Sequence, residues 1–469
     1  MKGQVAEDLF RSPRESAIDA LHEATGIYTA QAVADEMLSR LQWPDGDKTL
    51  LDSSCGDGIF LKSSLEKLFA AEPHIGRDRV LKLIGGWEIH PVAAQEARAR
   101  IAATLCEHGW ALSSANATAG KMVVNADFLT EHPGGSRHDV IVGNPPYLRY
   151  VSIPSILRAE YEATIPGYAT NDLLHSFIDR SVSILNPGGE IAVVTSDRWL
   201  FNQGSATLRQ EIGQHVGISC IERLDANTAF YRPKLRKAGT PARVHPVIVV
   251  LKQGDKGIVP LNRAPIYPDA IGGVDGDGRI LADIARVRIC PWLGKEGVFV
   301  VSAAVASKLP PEYLVPAVDT DDIKGGLVQI GRRYAIRTFP NEEPPREIAD
   351  HLQGMINKLS STAKRHQDWW LPPEPWHNYS LDKESLLIPR IATELKFVQL
   401  PPGVLGINHN LTVICGDSLS IADAGKMLKS PEAQEWACKR AARLENGFFS
   451  FTTTLLRRLP VFDKGAEIY

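Results

Sequence analysis

The sequence predicts an α/β fold whose first part is a mostly parallel sheet of seven strands. Short runs rich in β-branched residues alternate with segments whose apolar residues recur at every third or fourth position, as in strands that alternate with helices. After about residue 255 this alternation gives way to irregular sequence rich in proline and glycine, such as residues 369–379. We therefore expect two domains, residues 1–255 and residues 256–469.

Seven segments are strand candidates, because each is a short apolar or β-branched run bounded by turn residues. They cover residues 48–54, 80–89, 121–128, 139–143, 189–196, 218–225 and 245–253. Four further segments have the apolar spacing of a helix that packs on one face. These helix candidates are residues 30–41, 61–71, 91–109 and 173–185.

The composition excludes several classes of protein. The 469 residues are 44% hydrophobic and 23% charged, which is close to the average of globular proteins and excludes a disordered, collagen-like or coiled-coil chain. No apolar run approaches the ~18 to 20 residues that a membrane span requires. The first residues also lack the pattern of a secretory signal. We therefore expect a cytoplasmic protein with no membrane partner.

The six cysteines lie far apart and form no CxxC pair. This spacing argues against a zinc site and against a disulfide framework, and we expect no metal. The net charge of -3 neither requires nor excludes a nucleic-acid partner. Such a protein needs only one basic face, not a basic total.

A loop with two glycines, residues 52–58 (DSSCGDG), directly follows the first predicted strand and precedes a helix. Glycines at such a position let the backbone pass close to a ligand, and the helix N-terminus offers free N–H groups. The loop has GxG where dinucleotide-binding folds have GxGxxG. Taken alone, it therefore fits a ligand loop and a plain tight turn equally well.

Two more carboxylates are expected at strand ends. Glu88 ends the second predicted strand, where a carboxylate can accept both hydroxyls of a ribose. Asp127 ends the third and offers an acceptor for an exocyclic amine, beside the ring of Phe128. Because the carboxyl ends of parallel strands meet at one edge of a sheet, we expect these acids and Asp52 to surround one crevice.

The strongest signal is Asn144-Pro145-Pro146-Tyr147, at the end of the fourth predicted strand. Two consecutive prolines cannot continue a strand ladder, and they hold the chain rigid. Asn144 can offer its side-chain oxygen, and Pro145 its carbonyl, to the two hydrogens of an NH2 group. Such fixed acceptors stabilise the tetrahedral nitrogen, whose lone pair is free to react. Tyr147 presents a flat face to a planar substrate.

These motifs resemble those of a known family. DSSCGDG, GWEIHP, NADF and GNPPY are similar to the motifs of class I S-adenosylmethionine-dependent methyltransferases that act on amino groups, most closely the TaqI-type DNA adenine-N6 methyltransferases. Residues 25–33 resemble the motif that precedes the cofactor loop in this subgroup. The resemblance covers residues 1–255 well and the remainder in outline. One departure is Ser53, where the family commonly has proline.

The resemblance implies a Rossmann-like methyltransferase sheet with helices on both faces, followed by a C-terminal mixed α+β target recognition domain. Glu88 would hold the ribose hydroxyls of S-adenosylmethionine, and Ile89 would pack on its adenine. The residues implied for the cofactor site are Tyr28, Thr29, Asp52, Cys55, Gly56, Glu88, Ile89, Asp127, Phe128 and Asn144. Those implied for catalysis are Asn144, Pro145, Pro146 and Tyr147, and the target base would stack on Tyr147 and Phe230.

A basic segment follows the implied base pocket. There is no acid between Asp225 and Asp255, and we expect the cations in this stretch to contact DNA phosphates. A base in a duplex has to be flipped out of the stack to reach such a pocket. The residues expected at phosphates are Arg232, Lys234, Arg236 and Lys237.

Three hypotheses remain open, and the first has a close rival. The first is a DNA adenine-N6 methyltransferase of a restriction-modification or related defence system, acting on double-stranded DNA, with a separate restriction endonuclease as a candidate partner. The second is a protein-glutamine or RNA amino-methyltransferase, since release-factor glutamine methyltransferases also carry NPPY; the long chain after this motif favours DNA. Cytosine-N4 methylation is a nearer rival, although its enzymes more often resemble SPPY. The third is a recognition module without activity, against which the intact NPPY counts.

Overall fold

The computed structural model contains two compact units, Met1–Ile271 and Gly272–Tyr469, and each is described by itself. The residues that the structure describes are 12–231, 245–254, 257–271, 278–355, 368–416 and 419–461.

The first unit is built on a seven-stranded sheet, and each of the seven predicted segments contributes one strand. The strand order is β4-β3-β2-β5-β6-β9-β7, in which only β9 runs antiparallel to its neighbours. Two short strands, β1 and β8, pair with each other outside this sheet. The strands are β1 Tyr28–Thr29, β2 Leu50–Asp52, β3 Ile84–Glu88, β4 Val123–Asn125, β5 His138–Gly143, β6 Leu185–Ser196, β7 Val216–Arg223, β8 Phe230–Tyr231 and β9 Pro246–Gln253.

Helices cover both faces of this sheet. Neighbouring residues of one strand point to opposite faces, so Leu50 packs into one apolar core and Leu51 into the other. The helices are α1 Pro13–Thr25, α2 Gln31–Ser39, α3 Ile59–Ala71, α4 Arg77–Leu83, α5 Pro91–Glu107, α6 Leu112–Met122, α7 Phe128–Glu131, α8 Ser155–Thr164, α9 Leu173–Ser183, α10 Arg198–Phe201, α11 Ala206–Ile212 and α12 Ala226–Ala229.

Two predicted strands are shorter than their apolar runs. Residues 80–83 belong to α4, because Val80 and Leu83 lie one helical turn apart and are both buried. The third predicted strand ends at Asn125 rather than at Phe128. Asp127 instead begins α7 as its N-cap, with Oδ1 accepting the backbone N–H of Leu129 at 2.9 Å.

The first unit continues beyond the composition change near residue 255. Val259 forms an isolated bridge with Ile218 of β7, and Leu261 and Ile266 are buried in the core on one face of the sheet. Irregular, proline-rich sequence thus begins before the contacts of the first unit end. The assignment of catalysis to the first part of the chain and of recognition to the second stays a prediction.

The second unit combines small sheets with helices. Its two four-stranded sheets have the orders β10-β20-β16-β18 and β11-β15-β12-β19, and only β12 and β19 pair in parallel. Its strands are β10 Ala285–Ile289, β11 Val300–Ser302, β12 Leu314–Val318, β13 Ile323–Lys324, β14 Leu327–Val328, β15 Arg333–Ile336, β16 Ser385–Ile388, β17 Ile391–Ala392, β18 Val398–Leu400, β19 Leu405–Gly406, β20 Leu411–Cys415, β21 Ala442–Arg443 and β22 Phe449–Ser450.

The helices of the second unit are short. They are α13 Leu281–Ile284, α14 Ala303–Ala306, α15 Arg346–Gly354, α16 Ile421–Lys429, α17 Pro431–Arg440 and α18 Thr453–Arg457. In neither unit does any helix of the described residues combine the length and the apolar character needed to cross a membrane.

Candidate functional site

A cavity opens at the carboxyl ends of β2, β3, β4 and β5. The strand order changes direction between β2 and β5, and ligands of open α/β sheets bind at such a switch point. Of the residues implied for the cofactor, all except Asp52 line the cavity. These lining residues are Tyr28, Thr29, Cys55, Gly56, Glu88, Ile89, Asp127, Phe128 and Asn144.

The loop after β2 is tied closely to its surroundings. The N–H of Cys55 donates to the carbonyl of Trp87 at 2.8 Å, and the N–H of Gly56 donates to Glu88 Oε2 at 2.9 Å. Gly56 has a φ of 53°, and a Cβ atom there would lie 2.8 Å from the ring of Tyr28. Only glycine therefore fits between this loop and β1.

Glu88 is buried at the end of β3. Its carboxylate accepts the N–H of His90 at 2.8 Å through Oε1, in addition to the N–H of Gly56. Burial raises the pKa of Glu88 to about 7, although both backbone hydrogen bonds oppose this shift. Each carboxylate oxygen can accept a second hydrogen bond, so the carboxylate retains acceptor capacity toward the cavity.

Asp52 is completely buried and does not line the cavity itself, whereas its neighbours Ser53 and Ser54 do. Its Oδ1 accepts the N–H of Ser54 at 3.1 Å, and its Oδ2 has no hydrogen-bond partner among the described residues. Burial raises the pKa of Asp52 to about 8, with smaller contributions from the carboxylates of Glu88 and Asp57. A buried acid with an oxygen that accepts no hydrogen bond would ionise more readily beside a positively charged ligand.

Asp127 and Phe128 follow β4 and also reach the cavity. Burial raises the pKa of Asp127, and Arg14 lies 4.0 Å from its Oδ2. The ring of Phe128 stacks on Phe177 with 5.6 Å between the ring centroids. These two residues combine an acceptor with an apolar surface, as a purine base requires.

The predicted catalytic segment, residues 144–147, contributes only part of its residues to the cavity lining. Asn144 and Pro146 line the cavity, whereas Pro145 and Tyr147 are not among its lining residues. The Tyr147 hydroxyl contacts Asn144 Oδ1 and lies 2.9 Å from the carbonyl oxygen of Val194. Burial raises the pKa of Tyr147, so its hydroxyl is protonated.

Asn144 is held from two sides. Its Nδ2 donates to the carbonyl of Ile27 at 3.2 Å, while its Oδ1 contacts the Tyr147 hydroxyl. The side chain is therefore oriented before any substrate arrives. Such orientation in advance is what an electrostatic catalyst requires.

Phe230 lies on β8 and does not line the cavity. It pairs with Thr29 of β1, and the next residue, Tyr231, pairs with Tyr28. The Tyr231 hydroxyl contacts the Asp57 carboxylate. The pairing thus connects the implied base-stacking segment to residues of the cavity. The basic residues Arg232, Lys234, Arg236 and Lys237 lie outside the described residues.

Sequence reasoning missed part of the lining because it missed helix α1. This helix contributes His22, whose ring stacks on His90 with 3.9 Å between centroids. Its start was readable: Ser12 and Glu15 form a capping box, in which each side chain accepts the backbone N–H of the other. Tyr161 of α8 is a further lining residue without a clear local signal.

The cavity is acidic. Asp57, Glu88 and Asp127 line it, and none of the described lining residues is a lysine or an arginine. Phosphates would be repelled by these carboxylates, whereas a positively charged ligand would be attracted. Across the described part of the chain, no cluster of His, Cys, Asp and Glu side chains could hold a metal ion.

Comparison with known proteins points to one group. Residues 77–230 match the family model described as Eco57I restriction-modification methylase. The chain is 25% identical to the type II methyltransferase M.PaeR7I of Pseudomonas aeruginosa, an alignment that covers 94% of this chain and 86% of that protein. It is 24% identical to M.XhoI of Xanthomonas vasicola, over 94% and 91% of the two chains. For M.BstVI of Geobacillus stearothermophilus the identity is 28%, over 93% and 90%.

Among solved structures, the type IIL restriction-modification enzyme MmeI, determined in complex with DNA, superposes with a TM-score of 0.60 at 16% identity. The match covers 97% of this chain and 66% of MmeI, so the chain spans just under two thirds of that enzyme. The shared fold confirms the predicted α/β methyltransferase architecture. The chain is thus similar to type II methyltransferases along nearly its whole length, and its residues 77–230 match the restriction-modification methylase model.

Proposed function

We propose that this chain transfers a methyl group from S-adenosylmethionine to the N6 amine of an adenine in double-stranded DNA, within a restriction-modification or related defence system. The observation that carries this proposal is the junction of an acidic cavity with Asn144, which begins NPPY. The similarity to type II methyltransferases along nearly the whole chain supports a modification enzyme. A separate restriction endonuclease is its candidate partner.

The cavity suits S-adenosylmethionine better than a phosphate-bearing cofactor. This molecule is a nucleoside with a positive sulfonium and an amino group, and the cavity contains carboxylates without a lysine or arginine. Glu88 would hold the ribose hydroxyls, and Asp127 would accept from the adenine amine, between Ile89 and Phe128. The buried Asp52 would balance positive charge from below the loop. When bound, S-adenosylmethionine supplies an electrophilic methyl group.

The chain's own residues would activate the target amine. Asn144 Oδ1 and the Pro145 carbonyl would accept its two hydrogens and favour the tetrahedral nitrogen, whose lone pair would be free to bond to the methyl group as the bond from that group to sulfur breaks. The nitrogen would then be positive and would release one proton to solvent, so no base is needed beforehand. Tyr147 contributes through its hydroxyl, which orients Asn144, and together with Phe230 it would stack on the flipped base.

Target recognition is proposed for residues 256–469. The basic stretch that follows Tyr231 would hold the phosphates beside the flipped base through Arg232, Lys234, Arg236 and Lys237. This arrangement separates the chemistry of the first unit from sequence selection in the second. The solved structure of MmeI, whose fold is similar, contains DNA, and this supports DNA as the substrate.

The test is nucleoside mass spectrometry of DNA incubated with the protein and S-adenosylmethionine. We expect N6-methyladenine, and roughly 10²-fold less of it or lower still from the Asn144→Ala variant in the same reaction time. N4-methylcytosine would keep the mechanism and change the target base. Absence of any methylated base, together with methylation of a glutamine in a release factor, would refute the proposal.

A further inference from the structure

The second unit carries an open groove beside the edge strand β10. The groove is lined by β10, by the end of β20 and by residues from the segment 380–383, so it lies at one edge of the sheet β10-β20-β16-β18. Arg286 and Arg288 stand two residues apart on β10, so both side chains point to the same face. The intervening Val287 is buried in the apolar core on the other face. Both arginines line the groove.

The groove has an excess of positive charge. Its charged lining residues are Arg286, Arg288, Lys383, Arg457, Asp283 and Asp382. Both acids have local partners: Asp283 accepts the N–H of Ile280 at 2.8 Å, and Asp382 accepts from the Ser380 hydroxyl. Neither acid forms an ion pair with Arg286 or Arg288, and the four cations outnumber the two acids, so the groove is positive overall.

Arg286 and Arg288 form no ion pair with any carboxylate in the described part of the chain. Burial and the neighbouring Arg286 lower the pKa of Arg288, because both make its charged form less favourable. Two like charges without a counter-ion repel each other. An anion bound between them would relieve this repulsion.

An aromatic ring beside the groove contacts one of its arginines. The Arg288 guanidinium lies 4.7 Å from the centroid of the Tyr379 ring, a cation–π contact that orients it. Arg457 Nη2 donates to the carbonyl of Val287 at 2.9 Å on the same strand. A smaller cavity of about 390 Å³ adjoins the groove and shares Arg288 and Lys383 with it. The cations therefore lie along an extended surface rather than around one enclosed point.

We infer that this groove binds the phosphodiester backbone of the DNA through Arg286 and Arg288. A guanidinium presents a planar fork of donors that matches a phosphate, and an open groove accommodates a polymer. Arg457 and Lys383 extend the positive surface. The inference rests on the proposed function and makes it more specific, because it names residues of the second unit that hold the substrate.

The test is the double variant Arg286→Gln/Arg288→Gln, measured by fluorescence anisotropy with labelled duplexes over a range of salt. Each phosphate that is no longer neutralised should reduce the log-log salt slope by ~0.9, hence by ~1.8 for two phosphates. Affinity should fall on the order of tenfold to a hundredfold. Cognate and random duplexes should be affected alike, because phosphates carry no sequence information.

A matched control is the double variant Arg346→Gln/Lys426→Gln. It removes the same charge from the second unit at side chains that are 90% and 81% exposed and that pair with acids on their own helices. We expect its salt slope to equal that of the wild type. Equal losses of affinity in both double variants would assign the effect to net charge and overturn the inference.

Four further results complete the test. Calorimetric affinity for S-adenosylmethionine and the thermal midpoint should be unchanged in the double variant; if it unfolds, the single variant Arg286→Gln gives the same comparison with half the slope change. The inference would be overturned if the double variant bound duplexes with unaltered affinity and the groove bound only inorganic phosphate. If the wild type methylates DNA and the double variant binds DNA normally, only the inference about this groove is refuted. Wild-type protein without methylation would refute the proposed function.

Discussion

Gly143 lies against Asp52 so closely that a Cβ atom at Gly143 would be 2.9 Å from Asp52 Oδ1. Asp52 ends β2 and pairs with Val142 of β5, directly before Gly143. The φ of Gly143 is 151°, a value that also favours glycine. The loop after β2 and the segment Asn144-Pro145-Pro146-Tyr147 therefore start side by side, which brings the acidic cavity next to the segment proposed to accept the target amine.

Gly143→Ala should disturb both the loop after β2 and the segment that begins at Asn144. The added methyl group meets a buried carboxylate in a backbone conformation that alanine adopts poorly, at a cost of about 1 to 3 kcal/mol. We expect a lower thermal midpoint and weaker binding of S-adenosylmethionine by calorimetry. Gly135→Ala is the matched control, because a Cβ atom there meets nothing within 4 Å. Wild-type behaviour of Gly143→Ala would show that Asp52 can move away.

Asn144→Ala should lower turnover by roughly 10² or more while leaving cofactor affinity nearly unchanged, because it removes one preorganised acceptor. Single-turnover kinetics and calorimetry on the same preparation separate these two effects. Tyr147→Phe keeps the ring and removes only the hydroxyl that contacts Asn144, so it should show a smaller loss of rate. Full activity of Asn144→Ala would end the argument for amine activation.

Glu88→Ala should weaken cofactor binding, because two ribose hydroxyls lose their acceptor and the N–H groups of Gly56 and His90 lose theirs. The expected loss is about 1 to 3 kcal/mol, measured by calorimetry. Glu88→Gln keeps one oxygen acceptor and should lose less. If both variants bind as tightly as the wild type, Glu88 is not part of the cofactor site.

Cofactor affinity should rise with pH between about 6 and 8. The pKa of Asp52 is about 8 and that of Glu88 about 7 in the free protein, so both acids are partly protonated at neutral pH. A positive ligand favours the ionised acids and releases their protons. Calorimetry in buffers with different ionisation enthalpies should detect this release, and Asp52→Asn should reduce it. Proton uptake on binding would contradict the prediction.

The same raised pKa values make the free protein less stable as pH increases. A buried Asp52 whose folded pKa exceeds its unfolded value of about 3.9 favours folding below that value, and this contribution is lost as pH rises through about 8. Asp52→Asn should therefore flatten the decline of the thermal midpoint between pH 6 and 8.5, as measured without cofactor. A steeper decline in the variant would show that Asp52 is ionised at lower pH.

A truncated chain of residues 1–271 should fold and retain affinity for S-adenosylmethionine, whereas a chain of residues 1–255 should be less stable. The shorter chain removes Leu261 and Ile266 from the core and the bridge of Val259 to Ile218. Comparison of their thermal midpoints and calorimetric affinities checks this expectation. Sequence-specific methylation should be lost in both. Specific methylation by residues 1–271 would move target recognition into the first unit.

The seven strands and the acids near their ends could be predicted from the sequence, because strand period, turn residues and β-branched runs are local signals. Because these signals are local, they also led to two wrong predictions. Residues 80–83 form a helix within an apolar run, and Asp127 caps α7 rather than ending a strand. In each case a short apolar stretch is compatible with both structures, and packing decides between them.

By itself, the sequence determined that a glycine loop, strand-end carboxylates and an Asn-Pro-Pro-Tyr segment belong to one sheet edge. Only the tertiary structure decided that β2 lies next to β5, so that Gly143 touches Asp52. It also decided that His22 joins the cavity and that Arg286 and Arg288 share a groove without a carboxylate partner among the described residues. These relationships join residues that are far apart in the chain. They are set by strand order and by the packing of helices, which leave no periodic pattern in the local sequence.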